Sequence, residues 1–343
     1  MIIIKINLRT TSVQPMITFL QGLKTGQATR DQLIEIFNHP DYDYEFRRYQ
    51  SHGEATSKEQ IIDYFYSLPV VQESDIPALR PSRMTELRDK HALWLHAYNN
   101  PQEYEVGIFE RLITDDVLKD VTKLVEAGLP DDVAIDVIDV VVTLSIGGSF
   151  GYVYDGAFHI DLLRIPAMGW EALPSLLAHE SHHVAMMNYE SEYIDAFTLE
   201  EWFIHFFSGE GLAVKFCNNA QGTISKPIYE NRPVNEGLDS FTMTYLNEKF
   251  DEALDTFHTT LAAIRGGRMT KEDVWKHLMT YWFNFHTDDQ QCDEAPKLQQ
   301  SLAYSFGNDF YGAIYDAFGK SVLFSCVRHP LKAVELFNSI FKR

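Results

Sequence analysis

Five consecutive residues, His179-Glu180-Ser181-His182-His183, hold the chain's densest chemistry, because His179, Glu180 and His183 form H-E-x-x-H. Four residues make about one helical turn, so on a helix the two imidazoles share a face, their Cβ atoms about 5–6 Å apart, close enough to reach one ion at about 2.0–2.1 Å. Glu180 projects beside such an ion without joining its ligands, where a carboxylate can take a proton from water. Imidazoles with one carboxylate suit Zn2+ best. With 13 histidines in 343 residues, the pattern would arise by chance in about 3% of scrambled sequences, so its surroundings must decide. They favour a helix: Leu173, Leu176, Leu177, Val184 and Met187 recur around it at helical spacing.

A catalytic zinc takes three protein ligands and keeps a fourth position open, so a third residue is needed. Thr198-Leu-Glu-Glu201 is a capping box. It starts a helix whose expected buried stripe is Phe203, Phe206, Phe207, Glu210, Val214 and Cys217. A carboxylate on an apolar face is costly unless paired, and a cation on the neighbouring helix would pair it. Flanking Gly209 and Gly211 are expected to let these two helices approach closely. Glu236, in a second Glu-Gly-Leu triplet, is the rival, but it follows a polar, proline-containing loop and suits a helix start better; Glu210 is preferred. His182 projects about 100° round the helix from its neighbours and reads as a supporting or surface residue. His205 reads as a core histidine or a partner of a ligand.

The elements that would position these groups form an α+β pattern. Thr29–Leu68 and Pro101–Ala127 are helical by periodicity, and the β-branched run Val133–Ile146 suggests a buried strand. Phe150–Tyr154, Asp155-Gly156 and Ala157–Asp161 read as a hairpin on a type I′ turn. Helices resume after Pro166 and dominate the rest, apart from a polar loop near 218–233. The expected division is a mainly helical part over 1–130 and a site-bearing part over 131–343, together one compact unit. A net charge of −20 disfavours nucleic acid and anionic membranes as partners. No stretch has a signal peptide's apolar core or the 18 to 20 apolar residues of a membrane span. Three cysteines without CxxC spacing favour free thiols and a cytoplasmic location. Asp41–Glu45 and Asp288–Glu294 read as solvated acidic patches, Tyr281-Trp282-Phe283-Phe285 as helix packing, and Cys326/His329 as unrelated to a structural zinc site.

With His179, Glu180, His183 and Glu210-Gly-Leu-Ala213, the sequence resembles the gluzincins, zinc metallopeptidases in which H-E-x-x-H on one helix is completed by Glu on the next, often in an E-G-x-A setting. More narrowly, it is similar to bacterial zinc-dependent peptidase domains of unassigned function. The match covers about a tenth of the chain. The resemblance implies a zincin-like core with a small mixed sheet, a peptide or protein substrate, and Ala157–Leu163 as the edge strand that would hold that substrate by backbone hydrogen bonds. It also implies an oxyanion-stabilising Tyr or His from a later helix, with Tyr304, Tyr311, Tyr315 and His286 as candidates and Tyr311 preferred. Val214 stands where the thermolysin branch has Asp, so that branch's supporting contact is not expected.

The expected activity is therefore zinc-dependent peptide-bond hydrolysis, with His179, His183 and Glu210 on the metal and Glu180 as general base. Two other readings compete. A di-iron carboxylate protein would use Glu180-x-x-His183 as one ligand pair, but the chain has no second E-x-x-H. A non-catalytic binding protein on a zincin scaffold would have no use for Glu180. The sequence leaves oligomeric state and cleavage preference open.

Overall fold

The computed structural model describes residues 4–51, 56–79, 86–133, 135–147, 151–168, 173–218, 248–283 and 301–341. The described chain is mostly helical with one small sheet, the expected α+β class. It divides into two compact units, one of Ile4–Asp120 and Asp136–Pro174, the other of Val121–Ile135 and Ser175–Arg343. The division is therefore not at 130/131: the strands group with the N-terminal helices, and the H-E-x-x-H helix lies in the other unit.

In the first unit, β1 (Lys5–Arg9), β2 (Val137–Thr143), β3 (Gly151–Tyr154) and β4 (Ala157–Asp161) pair in the order β1-β2-β4-β3. β1 and β4 both run parallel to β2, while β3 is antiparallel to β4, so the sheet is mixed. Asp155 and Gly156 have φ of 50° and 73°, the left-handed pair that a type I′ turn requires. The hairpin formed as its turn chemistry dictates, but its second arm is not an edge. β4 is hydrogen-bonded on both sides and all five of its residues are buried, so its backbone cannot accept an added peptide strand. The edges are β1 and β3. Helices α1 (Val13–Thr25), α2 (Arg30–Phe37), α3 (Pro40–Ser51), α4 (Lys58–Tyr66), α5 (Glu86–Asn99), α6 (Val106–Leu112) and the start of α7 (Asp115–Ala127) complete this unit, with the short α8 (Ile165–Met168) after the sheet.

Part of the Asp41–Glu45 patch is also corrected. Asp41 is buried and paired with Arg9, and Glu45 is buried, accepting hydrogen bonds from Thr143 Oγ1 (2.7 Å), Ser145 Oγ (3.1 Å) and the Ile146 amide (2.9 Å). Asp288–Glu294 lies outside the described residues.

The second unit is built from α9 (Leu173–Glu190), α10 (Leu199–Ala213), α11 (Phe250–Arg265), α12 (Lys271–His277), α13 (Leu302–Phe318), α14 (Lys320–Arg328) and α15 (Pro330–Phe341). Thr198 caps α10 as its sequence requires, with Glu201 N to Thr198 Oγ1 at 3.3 Å and Thr198 N to Glu201 Oε2 at 3.0 Å. α10 and α13 pack backbone to backbone. A Cβ on Gly211 would lie 2.3 Å from the Gly307 carbonyl carbon, so both positions need glycine. The close approach bought by Gly211 is thus to α13 rather than to α9, and Gly209 meets nothing within 4 Å. Phe207 locks the pair by edge contacts to Trp282 (4.6 Å between centroids) and Phe306 (5.1 Å). Trp282 is fully buried, in keeping with a packing role for its aromatic run; Phe285 is outside the described residues. Beyond Ala213 the helix widens into a π-helical turn, Val214–Asn218. Cys217 and Cys326 are free and buried. No described helix is long and apolar enough to cross a membrane.

Candidate metal centre

α9 presents His179 and His183 one turn apart, and α10 presents Glu210 opposite them. His179 Nε2 lies 3.0 Å from His183 Nε2, and each lies 3.2 Å from the same oxygen, Glu210 Oε2. No other group of three or more metal-binding side chains occurs among the described residues. A tetrahedral zinc with ligands at about 2.0–2.1 Å holds its donors about 3.3 Å apart, close to the triangle formed here.

Proton counting favours an ion over hydrogen bonds. The other nitrogen of His179, Nδ1, lies 2.6 Å from Asn218 Oδ1, an atom that can only accept. With the proton on Nδ1, a neutral His179 turns the lone pair of Nε2 toward the lone pairs of Glu210. Were His179 doubly protonated instead, its Nε2–H would face His183 Nε2, which must also give a proton to Glu210. One of the three contacts is repulsive in either arrangement. A cation among the three atoms makes all of them favourable, so the donor set fits zinc.

The electrostatics agree. Burial opposes charging His183, but Glu210, Glu180 and Glu190 outweigh it and raise its pKa to about 9. The Glu210 carboxyl, although burial raises it, is held well below the usual carboxylate range by His183 and His179. Glu180 is shifted upward by burial, against His183 and His179 and with Glu210.

The remaining sequence candidates fall in different places. His182 is fully buried, its Nε2 2.8 Å from the Gly128 carbonyl, and burial lowers its pKa to about 3; it ties α9 to the chain after α7 as a neutral side chain. His205 is a core histidine, 3.3 Å from Glu190 Oε2 and 3.3 Å from the Val327 carbonyl. Tyr311 does not reach the centre: it is fully buried and donates to the Ile204 carbonyl at 3.1 Å. Tyr304, on the same helix two turns earlier, does. Its ring stacks on His179 (6.1 Å between centroids, 10° between planes), and its hydroxyl, pushed well above the usual tyrosine range by burial, lies near enough to Glu210 and Glu180 to feel their charge. Tyr315 packs on Phe216 instead. Glu236 and His286 lie outside the described residues. Asn218 escaped the sequence reading altogether; the only signal for it is the helical phase set by the π turn.

No curated protein and no solved structure matches the chain. A family profile described as "Putative zinc dependent peptidase (DUF5700)" matches residues 34–343, so it spans the whole candidate centre and nearly all of the chain. The chain belongs to this zinc-dependent family.

Proposed function

We propose that the protein hydrolyses peptide bonds at a zinc held by His179, His183 and Glu210, with Glu180 as the general base. The observation that carries this reading is the convergence of three donor atoms within 3.0–3.2 Å of one another beside Glu180. Zinc in that position supplies a Lewis acid that polarises the scissile carbonyl and makes water more acidic.

The protein's own groups do the rest. Glu180 takes a proton from the attacking water as the new C–O bond forms, and gives it to the amide nitrogen as the C–N bond breaks, so no covalent enzyme intermediate is needed. Tyr304, rather than Tyr311, is assigned the hydroxyl that donates to the carbonyl oxygen as charge develops there. In the resting site the Tyr304 ring is already oriented by stacking on His179.

The test is Glu180→Gln, assayed on a peptide library alongside zinc analysis. Turnover is expected to fall by about 10²–10⁴ while zinc stays near one per chain. Unchanged turnover would remove Glu180 as the base; loss of zinc would make it a ligand. A wild-type protein that holds zinc but cleaves nothing would instead favour a binding protein on this scaffold.

A further inference from the structure

We propose that Asn218 is the positioning residue for His179: its side-chain oxygen holds the proton on Nδ1 so that Nε2 presents its lone pair to the metal, and the π-helical turn Val214–Asn218 delivers it there. The proposal rests on the zinc-site reading above and adds a residue outside the H-E-x-x-H and Glu ligand set.

Three observations support it. Asn218 Oδ1 lies 2.6 Å from His179 Nδ1, the only nitrogen of that ring not facing Glu210 and His183. An amide oxygen accepts and cannot donate, so the contact selects one tautomer, the one that binds metal through Nε2. Helical phase explains how the residue gets there. Asn218 is eight positions after Glu210, and an uninterrupted α-helix would place it about 80° past the azimuth of Glu210. The π turn, closing i to i+5, takes in an extra residue and carries position 218 back toward the face of α10 that bears Glu210. One helix therefore supplies both a ligand and the support for a ligand on its neighbour. Such outer partners fix ring orientation and raise ligand basicity, and losing one costs about 10- to 100-fold in metal affinity.

Zinc affinity by competition with a chelator, measured for wild type, Asn218→Ala and Asn218→Asp, tests the proposal. Asn218→Ala is expected to weaken zinc binding by about 10- to 100-fold, and Asn218→Asp, which keeps an acceptor, to restore it to within about threefold of wild type or better. Thermal melting of the chelated proteins checks that folding is intact. Nitrogen-15 histidine spectra of the zinc-loaded wild type should show His179 protonated at Nδ1. Wild-type affinity in Asn218→Ala, no recovery in Asn218→Asp, or a zinc-bound Nδ1 would each overturn the assignment. If Asn218→Ala does not fold, the wild-type tautomer and the Asn218→Asp affinity still decide. A wild type that takes up no zinc would sink the zinc-site reading separately. Asn218 would then be judged in metal-free protein, with His179 neutral, by whether the Nδ1 proton is present in wild type and lost in Asn218→Ala.

Discussion

Each unit buries a cluster of charged side chains, and the two are built on opposite rules. In the sheet-bearing unit, Lys90 and Asp161 are fully buried and pair at 2.7 Å. Lys90 also donates to the carbonyls of Ser145 and Gly147, while Asp161 Oδ1 accepts from the amides of Ser145 and Leu163, each at 3.1 Å. Glu45 joins them through Thr143, Ser145 and Ile146. Lys90, Thr143, Ser145 and the Ile146 amide each meet an acceptor there, and these bonds pin residues 143–147. In the helical unit, His179 Nε2, His183 Nε2 and Glu210 Oε2 converge on one spot, 3.0–3.2 Å from one another. Glu210 is 23% exposed, and the set cannot be satisfied by its own protons. Burial of charge is therefore not what marks the candidate site; the mark is two imidazoles and a carboxylate whose metal-binding atoms converge on one point.

The largest effect expected from breaking this contrast is on stability. Lys90→Met should leave Asp161 and Glu45 uncompensated in the core and cost about 3–5 kcal/mol in denaturant unfolding, without changing zinc per folded chain. A loss of zinc with no loss of stability would reverse the roles given to the two clusters. Next in size, Tyr304→Phe should lower turnover by about 10²–10³ if its hydroxyl stabilises the developing oxyanion. Tyr311→Phe should leave turnover unchanged and cost about 1 kcal/mol of stability, because only the Ile204 carbonyl loses a partner. Equal activity losses in the two variants would erase the distinction drawn between them.

The smallest effect concerns pH. Without metal, His183 is held protonated to about 9, against an unfolded value of about 6.5. A raised histidine pKa gives stability that is complete below the unfolded value and lost as pH rises through the folded one. Melting temperatures of chelated protein should therefore decline between about pH 6.5 and 9, and the decline should vanish with zinc bound, since zinc replaces that proton. A flat profile in the chelated protein would contradict the close His183–Glu210 pairing.

How much of this could be read from residues alone depended on range. Local chemistry was legible: Asp155-Gly156 determines its turn, Thr198 and Glu201 determine the start of α10, and H-E-x-x-H determines which two imidazoles share a face. Contacts made far along the chain were not. β4 reads as an alternating hairpin arm, yet parallel pairing with β2 puts it inside the sheet, with His159 stacked on Tyr152 and Asp161 on Lys90. Glu45 reads as a surface acid because its partners come about a hundred residues later. Tyr304 and Tyr311 lie about seven residues and two turns apart on one helix face, so periodicity could not choose between them. Asn218 depended on a π turn, which composition does not announce.

The most direct test of the central claim is anomalous diffraction at the zinc edge from crystals of the purified protein. The account predicts one strong peak within about 2.0–2.2 Å of His179 Nε2, His183 Nε2 and Glu210. Zinc bound by another set of side chains, or no peak among these three after zinc is supplied, would contradict it.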